Sequence, residues 1–507
     1  MAGVPCLQAA TAVSLILIFT KTANLAVVVA VGGRIRVIIA SAEADEKFSS
    51  EPGMSMADEG SPSLIAWPPF VGGRGVRDVT DGLAESQHWP TADVARGQQL
   101  QLTQLLELAA DKVAHYRDGA WAATAVEDLK RSPTAFWDIW QKLPILTKAE
   151  LRSEAARLRA PDVPKEHLPL GTITTSGSTG ISVEVLTTAV TRLMWNALTL
   201  REMYWSGREF EKRLGAIRYL AKADRDPQGH FAASWLKLIS QRPRTGSFGI
   251  IHVGHSADVL ARWLQDFDPH YLITHPSVAE ALLDELGQKP PSMEEILFVA
   301  EPLSAVLEAR LTDEWHIRCA EYYSANEVGY IAFRCPEGRL HVQSESVLVE
   351  ILDAAGKPCA ARESGRVIVT PLHSLASPLI RYDLGDYATV GEPCECGRQL
   401  PVIDRVLGRV RNLVRAPDGR RHWPVDLGIF QAMSAVRQFQ YVQSGPATIE
   451  LRVVLNRPLT GEEEEQVTAT ARRVLGYPFE VKIVPVAAIA RGPTGKFEEF
   501  LSLLPAD

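Results

Sequence analysis

Between residues 67 and 161 the apolar positions recur at helical spacing. Residues 98–113 carry Leu100, Leu102, Leu105, Leu106 and Leu108 as one broad stripe, which predicts an amphipathic helix. Leu143-Pro-Ile-Leu-Thr-Lys148 breaks that period and reads as a short extended lead-in to a further helix. From about residue 173 to residue 370 the period keeps switching. Residues 170–173, 183–185, 271–274, 296–300 and 366–370 are apolar runs of strand length, and residues 257–267 and 277–286 are helical stretches among them. That alternation predicts an α/β class of layered sheets and helices.

After Gly408 the character changes. Residues 447–455 alternate apolar and polar, Thr460-Gly-Glu-Glu463 forms a capping box for a helix running to about residue 475, and residues 479–486 read as another strand. Glu462, Glu463, Glu464 and Glu465 crowd the first turn of that helix, where the macrodipole favours them, so they read as a solvated helix start. The β-α-β pattern predicts a small separate C-terminal domain over residues 409–507, behind a large domain over residues 57–408 and an apolar extension over residues 1–56.

Composition narrows the function classes. The 507 residues are 46% hydrophobic and 22% charged, ordinary for a soluble globular chain. A net charge of -8, with no basic run carrying interleaved aromatics, argues against a nucleic-acid surface. Six cysteines in this length fit a reduced compartment and exclude a disulfide framework, which points to the cytoplasm.

Five short segments carry candidate chemistry, and each has an ordinary reading beside the functional one. Thr174-Thr-Ser-Gly-Ser-Thr-Gly180 lies between two strand-like runs. Its hydroxyls and glycines suit a phosphate cradle, since glycine lets the backbone approach an anion and successive N–H groups form a nest; alone it equally describes a polar turn. It is not a Walker loop, because Gly180 is followed by Ile181 and Ser182. Ala300-Glu-Pro302 closes an apolar run and reads as a strand-to-helix turn. In Glu321-Tyr-Tyr-Ser-Ala-Asn-Glu327 a ring and a carboxylate are placed to stack a base and hold a metal, or simply form an edge strand with a surface glutamate. Leu379-Ile-Arg-Tyr-Asp-Leu-Gly-Asp386 ends in an aspartate suited to a ribose diol, or in a plain turn. Arg491-Gly-Pro-Thr-Gly-Lys496 delivers an ammonium on a flexible loop, or a solvated lysine. Two partial motifs fail: Gly254-His-Ser-Ala-Asp258 lacks the second glycine of a nucleophile elbow, and Gly73-Arg-Gly75 lacks the third glycine of a dinucleotide fingerprint.

Taken in order and at these separations, the five segments resemble the adenylate-forming superfamily of acyl-CoA synthetases and adenylation domains, within it the phenylacetate–CoA ligase branch. Leu143-Pro-Ile-Leu-Thr-Lys148, His275-Pro-Ser277 and Cys394-Glu-Cys-Gly-Arg398 support that branch. The resemblance implies an ATP-dependent ligase that turns a small-molecule carboxylic acid into an acyl-adenylate and then an acyl thioester, with coenzyme A or a carrier-protein thiol as acceptor and no role for a membrane in the enzyme core. An amine acceptor, or a degenerate member that binds nucleotide or acyl ligand without turnover, are the alternatives. Thr175, Ser176, Gly177, Ser178, Thr179 and Gly180 would hold the ATP β- and γ-phosphates. Tyr323 would stack on adenine, with Glu301 in the turn lining the base; Glu327 would ligate Mg²⁺; Asp386 would bind the ribose hydroxyls. Arg409 would sit at the hinge and reach the nucleotide, and Lys496 would bridge the carboxylate and the α-phosphate. Arg411-Asn412 stands where the family carries an acidic pair at its pivot, which leaves the acceptor open.

Cys335, His341, Cys394 and Cys396 make a sensible tetrahedral zinc set, although a Cys-x-Cys pair is tighter than the usual spacing and three free cysteines are the plain alternative. The branch often carries this pattern, which implies a structural Zn²⁺. At the N-terminus, residues 12–19 and 25–31 are apolar and Lys21 interrupts them. A signal peptide would want basic residues before the apolar run, and a membrane helix would bury Lys21 near its middle. The favoured reading is an extension ahead of a start at Met54 or Met56, because the implied cofactors are cytosolic.

Overall fold

A computed structural model describes residues 26–31, 34–39, 75–119, 121–174, 184–220, 222–235, 245–409, 414–422, 435–489 and 498–504. The Thr175 to Gly180 loop, Lys496 and the Arg411-Asn412 pair lie outside the described residues. In the N-terminal extension Ala26–Val31 and Arg34–Ile39 pair as an antiparallel hairpin, so the second apolar run is strand and not the helix a membrane span would need. Among the described residues no helix is long and apolar enough to cross a membrane.

A twelve-stranded sheet is the frame of the fold. Its parallel part runs Arg318–Ala325, Glu295–Phe298, Tyr271–Thr274, Leu214–Arg218, Phe248–His252. The helices Ala257–Phe267, Pro276–Leu286 and Ala305–Trp315 cover one face through Leu260, Leu264, Leu282 and Leu311. The helix Ala189–Trp205 covers the other through Leu200 and Met203, against Leu214, Ala216 and Ile273. Beyond Arg318–Ala325 the sheet turns antiparallel, through Gly329–Arg334, Leu340–Val342, Val402–Arg409, Tyr382–Val390, Ser364–Pro371 and Val347–Leu352.

The stripe at residues 98–113 forms the helix Thr91–Lys112, with Leu102, Leu105 and Leu106 fully buried. Leu100 departs from the expectation and is 57% exposed, because two residues advance a helix by about 200° and carry it away from Leu102. The helix packs into a core shared with Trp140, Leu146, Val369 and Tyr382. The lead-in segment is anchored there: Leu146 donates its N–H to the Arg381 carbonyl at 3.0 Å, and Asp383 donates to the Leu146 carbonyl at 2.9 Å. Thr147 then caps the helix Lys148–Ser153 through a capping box with Glu150.

Near the C-terminus a four-stranded sheet is ordered Glu480–Pro485, Thr448–Leu455, Val436–Gly445, Phe500–Ser502. Thr448–Leu455 and Glu480–Pro485 pair in parallel across the helix Gly461–Val474, the β-α-β unit expected from the pattern, and Thr460 and Glu463 form the expected capping box. Its core is its own: Tyr441, Leu451, Val467, Phe479 and Phe500 pack together.

Candidate active site

Two of the sequence motifs meet at the antiparallel end of the large sheet. The Tyr323 hydroxyl donates to Asp386 Oδ2 at 2.8 Å, and the Tyr382 hydroxyl donates to Glu327 Oε1 at 3.0 Å. Each bond joins one motif to the other, so the ring, the two carboxylates and a second tyrosine form one polar cluster. The local backbone explains the placement. A register shift at Tyr323/Ser324 bulges the strand, pairing resumes through Ser324 and Ala325, and the turn carrying Glu327 follows. That turn closes at Gly329, whose φ is +90° and where an added Cβ would stand 2.0 Å from Trp195 Nε1, so only glycine fits. The turn is thereby seated on the helix Ala189–Trp205, and Glu327 is buried.

Asp386 follows Gly385, which has a φ of +73° and donates its N–H to Asp383 Oδ1 at 2.8 Å. The Asp386 backbone is paired with Arg409, the last residue of the strand Val402–Arg409. Sequence reasoning missed two supports of this cluster. Tyr382 lies inside the motif but was given no role, although a tyrosine between charged residues in a buried strand is a candidate donor. Arg381 is buried, takes a φ of +49°, and spends its guanidinium on Glu350 at 3.1 and 3.0 Å and on the Gln141 and Leu143 carbonyls at 2.7 and 2.6 Å. It clamps the lead-in segment beneath the aspartate strand.

Glu301 has an additional task. Its Oε2 accepts the Ser277 N–H at 3.2 Å and the Ser277 hydroxyl at 2.6 Å, so this carboxylate caps the helix Pro276–Leu286 and ties His275-Pro-Ser277 to the Ala300-Glu-Pro302 turn. Ala300 lies past the strand Glu295–Phe298 with a φ of +72°, which ends the apolar run two residues earlier than its composition suggests. Among the aromatics after the glycine loop, Trp195 and Trp205 are buried, while Tyr204 is 56% exposed.

The four candidate zinc ligands converge away from this cluster, and their ligand atoms all lie within 4.8 Å of one another. Cys335 Sγ and Cys394 Sγ are 3.8 Å apart, and Cys396 Sγ is 3.3 Å from His341 Nε2. Thiolates about 2.3 Å from a tetrahedral zinc stand about 3.8 Å apart, so the donor set fits the metal. His341 Nδ1 faces the Leu400 carbonyl at 3.1 Å, which places the proton on Nδ1 and leaves Nε2 free to ligate. Burial holds the His341 imidazole below its usual range, in the neutral form that binds metal. The set joins the hairpin after Gly329–Arg334 to the loop ahead of Val402–Arg409.

The fold is similar to that of solved structures of other proteins. 2-Hydroxyisobutyryl-CoA ligase in its postadenylation state, with R3-HIB-AMP bound, superposes with a TM-score of 0.62 at 18% identity, covering 82% of this chain and 90% of that one. The chain shares the fold of the acyl-CoA ligases. An open conformation of the same ligase, with 2-HIB-AMP and CoA, superposes less well at a TM-score of 0.52, 18% identity and 81% and 92% coverage. In sequence the chain is similar to phenylacetate-coenzyme A ligase of Thermus thermophilus, 24% identical over 275 residues. That match spans 47% of this chain and 62% of the relative, less than two thirds of its length. No protein-family model matches the chain.

Proposed function

We propose that the protein activates a carboxylic acid with ATP and transfers the acyl group to the thiol of coenzyme A. The observation that carries this reading is the pair of bonds Tyr323–Asp386 and Tyr382–Glu327, which bring motifs about 60 residues apart in sequence into one cluster on an acyl-CoA ligase fold. In the first half-reaction a carboxylate oxygen attacks the α-phosphorus, the bond to the β-phosphate oxygen breaks, and pyrophosphate leaves. In the second the thiolate sulfur attacks the acyl carbonyl, its proton having gone to solvent, and AMP leaves.

Each residue has a part set by charge. Asp386, oriented by the Tyr323 hydroxyl, would accept from the ribose hydroxyls, and the Tyr323 ring would lie against the base. Glu327 would hold Mg²⁺, which supplies positive charge to the phosphates. Thr175, Ser176, Gly177, Ser178, Thr179 and Gly180 would cradle the outer phosphates. Arg409 and Lys496 would offset the repulsion between two approaching anions, with Lys496 carried on a small domain that begins after Gly408. Cys335, His341, Cys394 and Cys396 would hold a structural zinc with no open position for water. Arg411-Asn412, in place of an acidic pivot, favours testing a carrier-protein thiol or an amine beside coenzyme A.

The experiment is acid-dependent ATP–pyrophosphate exchange on the purified chain, followed by acceptor-dependent release of AMP. Exchange with one class of acid is expected, and Lys496→Ala should abolish it while leaving ATP binding intact. Measurable ATP binding without exchange for any acid would replace this reading with that of a nucleotide-binding protein.

A further inference from the structure

The guanidinium of Arg218 makes no hydrogen bond among the described residues. Its Nη1 is shut off from solvent and makes no hydrogen bond, and no hydrogen bond or ion pair reaches the guanidinium from the described residues. Arg208, close by, is satisfied: Glu202 and Glu295 both pair with it, the latter at 2.6 Å from Nε. A guanidinium cannot shed its proton, so burying one with no carboxylate bonded to it costs free energy that the fold recovers only in part. A bound anion would recover it.

Its position says which part of a ligand it would meet. Arg218 ends the strand Leu214–Arg218, at the carboxyl edge of the parallel sheet, where open α/β sheets bind ligands. Alternation puts it on the same face as Leu214 and Ala216, the face covered by the helix Ala189–Trp205. Its electrostatic neighbours are Tyr322, Tyr330 and Glu301. Glu301 already gives Oε2 to Ser277. Tyr322 and Tyr330 meet edge-to-face with ring centroids 5.1 Å apart. Tyr322 points to the face opposite Tyr323: the former packs with Met203 and Leu200, the latter against the core of Trp140 and Leu146. Arg218 therefore lies on the face of the sheet opposite Tyr323, three strands along from it. Burial depresses the affinity of Arg218 for its proton, as it must for an unpaired cation.

We propose that Arg218 selects the acid by binding a second carboxylate on it, so that the substrate is a dicarboxylic acid activated at one end and held at the other. This rests on the acid-activating reading above. It predicts the substrate class from an unpaired cation where a pocket for a neutral acid would place an apolar or uncharged side chain.

The test compares ATP–pyrophosphate exchange for short and aromatic dicarboxylic acids with their monocarboxylic isosteres, on the full chain and on Arg218→Gln and Arg218→Met. In the native chain kcat/KM for the best dicarboxylate should exceed that of its isostere by about 100-fold, as expected when a buried polar group is left unpaired. Arg218→Met should collapse or invert that ratio, chiefly through KM for the acid, while KM for ATP stays put. Its melting temperature without ligand should be equal or higher, since the unpaired charge is gone. Equal use of both acids by the native chain would overturn the proposal. So would a loss on substitution that is the same for every acid, because Arg218 would then serve the reacting carboxylate. If exchange fails with every acid for native chain and variants alike, the acid-activating reading falls and the proposal falls with it; the earlier outcomes overturn the proposal alone. AMP binding, retained in the variants, separates a specificity change from misfolding.

Discussion

The Tyr323 hydroxyl donates to Asp386 Oδ2 at 2.8 Å across 63 residues of sequence. The bond orients the carboxylate before any nucleotide arrives. Tyr323→Phe removes one hydrogen bond to a charged acceptor, worth about 1.5–3 kcal/mol. Some of that is regained from solvent at this part-buried site, so KM for ATP should rise about 5- to 20-fold with kcat little changed. Asp386→Ala should raise it further. Steady-state exchange kinetics at varied ATP decide it; a Tyr323→Phe effect on kcat alone would contradict the orienting role.

Glu327 is buried with one oxygen bound by Tyr382. Glu327→Gln keeps the shape and removes the charge. Exchange should fall on the order of 10²–10³-fold, the usual loss for a well-placed electrostatic group, and part of the loss should be recovered at high magnesium. Tyr382→Phe should give a smaller loss of the same kind. A magnesium dependence unchanged in both variants would remove Glu327 from the metal.

The Cys335, His341, Cys394 and Cys396 set should carry about one zinc per chain, measurable by elemental analysis. Cys394→Ser should lower the melting temperature by several degrees, given that 1 kcal/mol moves a domain of 150–250 residues by roughly 2–4 °C. Exchange at 25 °C should survive, because the set stands apart from the Tyr323–Asp386 cluster. A metal-free chain whose melting is indifferent to both chelator and substitution would show three free thiols instead.

Glu499, three residues after Lys496, is pushed by burial, then by Glu280 and Glu301, from 4.5 up to about 7. The contact between the C-terminal segment and the large sheet's helices therefore favours the protonated acid. Below about pH 4.5 the group is protonated whether packed or free and costs nothing. Between about 4.5 and 7 the packed form alone keeps its proton, so the contact weakens as pH rises, and above about 7 the loss is complete and constant. Glu499→Gln should remove this dependence. Melting curves from pH 5 to pH 8 should show the variant gaining on the native chain up to about pH 7 and holding level beyond; a gap independent of pH would exclude Glu499 as the titrating group.

Much of the fold was legible in the chain. The helix Ala257–Phe267 and the strand Tyr271–Thr274 have the bounds their periodicity suggests, and the capping box at Thr460 and Glu463 opens its helix. These features depend on neighbours within four residues, and local sequence carries that information. The motif segments were legible for the same reason, as short strings of chemically distinctive side chains, and their shared order pointed to a ligase fold.

Other features needed the tertiary structure. Nothing near Tyr382 in sequence marks it as the partner of Glu327, 55 residues away. Arg381 reads as one more charge until Glu350, Gln141 and Leu143 are folded around it. Arg218 reads as a strand-end arginine until its buried Nη1 proves to have no hydrogen-bond partner among the described residues. The chain alone determined which segments form helices, strands and candidate motifs, because hydrophobic period and capping act over a few residues. Which polar groups are paired and which are left waiting was decided only by packing, because burial and partnership depend on residues brought together from distant parts of the chain.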